Sequence, residues 1–135
     1  MLSHPTKKPI TMNTLPYLAM LSQMTDSIIY ADAQGIIRFW NTASETLFGF
    51  TADEAIGQSL DIIIPPYLRE PHWRGFHAAI AAGKTQHGGK ATRTKALHKN
   101  GTFIYAEVSF CIIIDPITGE RGSLSSARPA AAKIS

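Results

Sequence analysis

Only one of the 135 residues is cysteine, Cys111, so no disulfide can form within the chain. It lies in the run Val108-Ser109-Phe110-Cys111-Ile112-Ile113-Ile114, where a core or sheet-facing thiol is expected, because a nucleophile needs a nearby base that the local sequence lacks. No stretch approaches the ~18 consecutive apolar residues of a membrane span. Lys7 and Lys8 near the start have no apolar run behind them, so a secretory signal is not expected and a cytoplasmic location is the default. No Ser/His/Asp or paired-carboxylate arrangement stands in evident context, so an enzyme is not expected. Acidic residues are missing altogether between Pro71 and Ala106, whereas Arg74, Lys84, Lys90, Arg93, Lys95 and Lys99 all fall there. Such a segment suits an anionic ligand, but lysines guarding a solvated sheet edge explain it as well. Direct nucleic-acid contact is not expected, since no recognition helix or stacking motif accompanies the charge.

What is present is one domain's worth of chain, 44% hydrophobic and 17% charged with a net charge of +3. Residues 1–11 read as a loose tail. Within 12–25, Leu15, Leu18, Leu21 and Met24 recur at helical spacing and predict a flanking amphipathic helix, with Pro16 in its first turn. Asp26–Asp32 and Ile36–Trp40 are β-type runs joined by Ala33-Gln34-Gly35, a hairpin whose turn uses Gly35. Asn41 or Thr42 then caps a helix, Thr42 with Glu45 forming a capping box, and Gly49 ends it. Thr51 with Glu54 repeats the box. Ser59–Ile64 is a short turn or helix broken by Pro65-Pro66. A longer helix runs from Pro71, at its first position, to Ala82, with Glu70 forced out of the helical region. Three strands follow: Ala91–Leu97, Thr102–Ile114 after an Asn100-Gly101 turn, and Arg121 to Ala127. This order predicts an α+β fold, a five-stranded antiparallel sheet with helices on one face enclosing a pocket. The domain itself would span 26–128, with 129–135 a tail or linker stub.

The segment Asp26–Gly57, with Asp32, Gly35, Asn41, Ala43, Glu45, Phe48-Gly49-Phe50, Glu54 and Gly57, resembles the first half of a PAS domain. Lys99–Ser109 resembles the PAS hairpin equally well, and together the likeness spans about residues 14–127. It implies a sensory domain for signal transduction. The glycines would serve turns and helix ends, and Asn41 and Glu45 would bond local backbone.

Leu68-Arg69-Glu70-Pro71-His72-Trp73-Arg74-Gly75-Phe76 resembles the ligand-binding helix of haem PAS sensors of the oxygen-sensing kinase and CO-sensing regulator types. The resemblance implies haem b, His72 as its iron ligand, and a diatomic gas, CO or O₂, as the signal. Helix geometry favours His72 among the histidines. It shares a face with Phe76, Ala79 and Ile80, whereas His77 lies roughly 140° round the helix, on the solvent side or flank. His87 and His98 fall in turns and are expected to be exposed, and no histidine has zinc-site spacing. Phe76, Ile80, Ile104, Val108, Phe110 and Ile112 would wall a flat macrocycle, with Gly75 and Ala79 leaving room beside His72. Arg69, Lys84, Lys90 and Arg93 would pair with the propionates. Oxygen-sensing relatives place an arginine on the following strand, and the matching position here is Thr92; Arg93 next to it should face the other side. No methionine follows Met24, so a distal thioether is excluded, and Ile104, Val108, Phe110 and Leu124 would form an apolar distal side. The alternatives are a PAS module that binds a small metabolite or only dimerises, and a flavin-binding PAS domain. A homodimer through the N-terminal helix and the sheet is the expected assembly.

Overall fold

The computed structural model describes residues 15–86 and 88–132. The elements run α1 (Tyr17–Ser22), β1 (Ser27–Asp32), β2 (Ile37–Trp40), α2 (Thr42–Phe48), α3 (Ala52–Ala55), two 3-10 turns (Leu60–Ile63 and Pro66–Leu68), α4 (Arg69–Ala82), β3 (Thr92–Leu97), β4 (Phe103–Ile114) and β5 (Arg121–Pro129). The strands form one antiparallel sheet in the order β2-β1-β5-β4-β3, which is the expected α+β architecture. Among the described residues no helix is long and apolar enough to cross a membrane.

Local chemistry explains most boundaries. Thr51 and Glu54 form the predicted capping box at α3. At α2 the cap is Asn41, and no Thr42–Glu45 box forms: the Glu45 carboxylate accepts from the Ala52 N–H at 2.7 Å and ties α2 to α3 instead. Helix α4 starts at Arg69, two residues before Pro71, so Glu70 is helical after all. Pro71 sits in the first turn, where its missing N–H costs no bond because no carbonyl waits for it. Helix α1 covers only the middle of the segment expected at 12–25, and its N-cap is Pro16. The tail expected at 1–11 lies outside the described residues. Strand β5 continues to Pro129, into the segment expected as a tail.

The register assigns the two faces. Ile29 and Ala31 on β1 lie beside Ser125 and Ser123 on β5, and these beside Phe110 and Ile112 on β4. Alternation puts this row, with Ile104, Ala106, Val108 and Ala127, on the face the helices cover. The core gathers there: Ile29, Ala31, Ile37, Trp40, Phe48, Ala55, Leu60, Phe76 and Ala96 are buried together. Each large member is worth about 1.5–3 kcal/mol in area removed from water.

A buried polar knot anchors the start of β1 to α2. Asn41 Oδ1 accepts from the N–H groups of Ile28 and Ser44, while its Nδ2 donates to the carbonyls of Leu21 and Asp26. The hydroxyls of Ser27 and Ser44 meet at 2.8 Å. All four hydrogen-bonding positions of the amide are therefore used, which is what a buried Asn requires. The backbone role expected of Asn41 and Glu45 is the one they have.

Candidate functional site

Helix α4 carries the candidate ligand. Phe76 and Ala79 are buried and Ile80 packs against the core, so the face predicted for this helix points inward. His72 lies at one margin of that stripe and Trp73 at the other, with Phe76 near its centre. Gly75 falls outside it: the residue is exposed, and an added Cβ would meet nothing within 4 Å. Of the two small residues expected to leave room beside His72, only Ala79 lies on the buried face.

The His72 imidazole stands edge-on to the Trp73 indole at 4.7 Å between centroids and lies 6.0 Å from the Phe76 ring. Its Nδ1 is buried with no hydrogen-bond partner. Burial, the largest influence, pushes its pKa below the ordinary histidine value; the Asp61 carboxylate opposes this and His77 adds to it. The imidazole is thus held neutral at pH 7, with a lone pair to offer. Native proteins seldom leave a buried polar atom unpaired, so this nitrogen needs an explanation.

Trp73 buttresses that ring. Its Nε1 donates to Asp61 Oδ1 at 2.7 Å, and the indole stacks on exposed His77 at 5.8 Å. Its benzo edge lies against Gly35, where a Cβ would collide with the indole. Gly35 also needs a φ of 78°, so two constraints fix glycine at this turn. Arg69 does not stand free for a carboxylate ligand. Its guanidinium donates to the carbonyls of Ile64 and Asp61, both at 3.2 Å, and pins the start of α4 to the preceding turns.

On the sheet, Ile104 packs against the core, but Val108, Phe110 and Ile112 on the same inner face remain half-exposed. An apolar wall on β4 is thus only partly covered by the helices. Two expected members of the site are on the wrong side of the sheet. Leu124 pairs with Tyr30 and Cys111, and Arg93 pairs with Glu107, all in outward-facing rows. Arg93 instead lines an outer hollow of about 360 Å³ with Lys95, Tyr105 and Glu107. Thr92, opposite Val108, occupies the inner row. Cys111 is exposed on the outer face, not in the core. His98 is half-buried against Gly49 and accepts from the Asn100 N–H, so it is less open than its turn position suggested. His87 lies outside the described residues. Among the described residues no three His, Cys, Asp or Glu side chains gather into a metal cage.

Sequence reasoning did not single out Trp73, Asp61 or Arg121. Trp73 lies inside the motif that drew attention to His72 and was legible as its neighbour. Arg121 meets α4 across 41 residues of sequence, which no local pattern reports.

The family model for the PAS fold matches residues 16–128. An uncharacterized protein of Azorhizobium caulinodans is 33% identical over 92 residues, covering 67% of this chain and 12% of its own length. The sensor protein FixL of Bradyrhizobium diazoefficiens is 41% identical over 54 residues, 40% of this chain and 11% of that protein. The chain therefore spans only a small part of the length of either relative. Among solved structures, the PAS domain of a Colwellia psychrerythraea protein superposes with a TM-score of 0.72 at 26% identity, covering 84% of this chain and 93% of that one. With the family model running from α1 into β5, over the same five strands and the helices that cover them, the chain belongs to the PAS fold family of sensory domains.

Proposed function

We propose that this PAS domain binds haem b through His72 and senses a diatomic gas. The observation that carries the reading is the buried, unpartnered nitrogen of His72, on a helix whose inner face meets the apolar core. A neutral imidazole on a helix, facing an apolar surface, is the common protein ligand of haem iron. Phe76, Ala79 and Ile80 on α4 and Ile104, Val108 and Phe110 on the sheet would flank the macrocycle. Lys84 and Lys90, exposed beyond α4, supply positive charge for the propionates. Bound haem would supply an iron centre that takes a small gas as ligand; the chain supplies position, dryness and the tether. With Arg93 turned outward the wall offers no guanidinium to hold O₂, which favours CO as the gas.

The test is the absorption spectrum of the purified chain reconstituted with haemin. A Soret band that is present in the wild type and lost or strongly shifted in His72→Ala supports the reading. A wild-type protein that takes up no haemin, or a band indifferent to His72→Ala, overturns it.

A second reading has its own observation. A groove of about 530 Å³, which shares Ile104 with the first reading, is lined by Ser27, Ala43, Thr46, Leu47, Ile104 and Ala127 among others. It contains no charged side chain and suits a small neutral metabolite. Under either reading we propose a homodimer through α1, which leaves Leu18 68% and Met20 52% exposed. A flavin reading has little support, since Cys111 is on the outer face of the sheet.

A further inference from the structure

Helix α4 is a strap pinned at both ends. At its start, Arg69 and Trp73 hold it to Asp61 and Ile64. At its end, Arg121 Nη1 donates to the carbonyls of Ile80 and Ala81, both at 2.8 Å. The guanidinium lies flat against Gly83, the left-handed C-cap of α4, where a Cβ would come within 3.3–3.4 Å of it. A cation placed on the last carbonyls satisfies groups that a helix end leaves orphaned, and it complements the negative end of the helix dipole.

Arg121 is the first residue of β5, the central strand of the sheet, paired on both sides with β1 and β4. On the neighbouring strand β4, Val108, Phe110 and Ile112 of the inner face remain half-exposed. The last turn of α4 is tied to β5 by two charge-assisted bonds.

We propose that Arg121 is a positioning residue that couples α4 to β5, so that a change at His72 is read out on the central strand. The trigger rests on the haem reading above; the coupling does not. If a ligand at His72 displaces α4, its last carbonyls either drag Arg121 and the start of β5 with them or break away from it. Both outcomes convert an event on a helix into a difference at the sheet, in one physically connected step.

Two measurements on the full chain test this. In the first, amide hydrogen exchange is followed in haemin-loaded protein with and without CO. The wild type should respond both in the last turn of α4 and along β5 at Ser125–Ala127, beyond the immediate neighbours of residue 121. Arg121→Gln should keep the α4 response and lose that of β5, and Arg121→Lys, which restores a cation to the carbonyls, should recover part of it. An unchanged β5 response in Arg121→Gln overturns the proposal.

The second measurement needs no haem and so separates failure of the coupling from failure of the haem reading. Backbone amide shifts at Ser125–Ala127 are recorded for His72→Phe in the Arg121 and Arg121→Gln backgrounds, with His72→Gln used if the phenylalanine variant does not fold. The shift produced at β5 by the His72 change should be present with Arg121 and lost with glutamine. Equal shifts in the two backgrounds overturn the coupling, whatever the spectrum says about haem.

Discussion

The two ends of the inner sheet face are built differently. Over β1 and β2, helices α2 and α3 close a dry core of Ile29, Ile37, Trp40, Phe48 and Ala55, sealed by the knot of Asn41, Ser27 and Ser44. Over β4 the covering is incomplete: Val108, Phe110 and Ile112 are half-exposed. The first region spends its apolar residues on stability. The second leaves an apolar wall and an unpaired imbedded nitrogen on His72, the sort of unfinished surface that a ligand completes. The fold and the proposed function therefore depend on different residues, and substitutions should separate them.

The largest expected effect lies in the closed region. Phe48 is 2% exposed and contacts Trp40 at 5.6 Å between ring centroids. Phe48→Ala should destabilise the domain by about 3–5 kcal/mol, read as a lower urea midpoint, because the cavity is walled by rigid neighbours. A smaller but still large loss is expected from Asn41→Ala. It removes the α2 cap and strands the N–H of Ile28 and the carbonyls of Leu21 and Asp26, at a cost of about 2–3 kcal/mol by the same measurement. A loss near zero would mean that water replaces the amide and that this end is not as dry as its packing indicates.

The closed region was also the more legible in sequence. The Thr51 box, the Gly35 turn and the strand runs are local signals, each carried by residues within four or five positions of one another. The Thr42–Glu45 box failed because the same carboxylate had a better donor seven residues away, in the next helix. Around His72 the failures have a common cause. Gly75 is one residue, about 100°, round the helix from Phe76 at the centre of the buried stripe, and so falls on the solvent side. Leu124 and Arg93 were assigned to the pocket without the strand register, and a shift of one residue exchanges the faces of a strand. Arg121 required knowing that β5 begins beneath the end of α4, which is tertiary information.

Phe110→Ala provides the sharpest test of the contrast between the regions. It removes the same number of atoms as Phe48→Ala, but from the half-covered wall, and should cost only about 1–2 kcal/mol in urea unfolding. Haemin uptake should weaken in Phe110→Ala and be unaffected by conservative changes at the outward-facing Leu124. If Phe110→Ala costs as much as Phe48→Ala, the wall is as closed as the core and the comparison breaks.

The smallest expected effect is a pH dependence. Burial lowers the pKa of His72 in the folded chain, so between the ordinary histidine value of about 6.5 and the lower folded value the unfolded chain binds a proton that the folded chain does not. Stability must then fall as pH drops through that window. Above it both states are neutral at this residue and its contribution is flat; below the folded value both are protonated and the loss is complete. Asp61 moderates the effect by stabilising the imidazolium. His72→Gln, which cannot titrate, should flatten this part of the stability–pH curve measured by urea unfolding between pH 7.5 and 5. Because His72 is only partly buried, the loss should be smaller than any of the three truncations. A variant whose curve tracks the wild type throughout would show that His72 is more solvated than its unpartnered Nδ1 indicates. The open region would then lack the dry imidazole on which its proposed ligand depends.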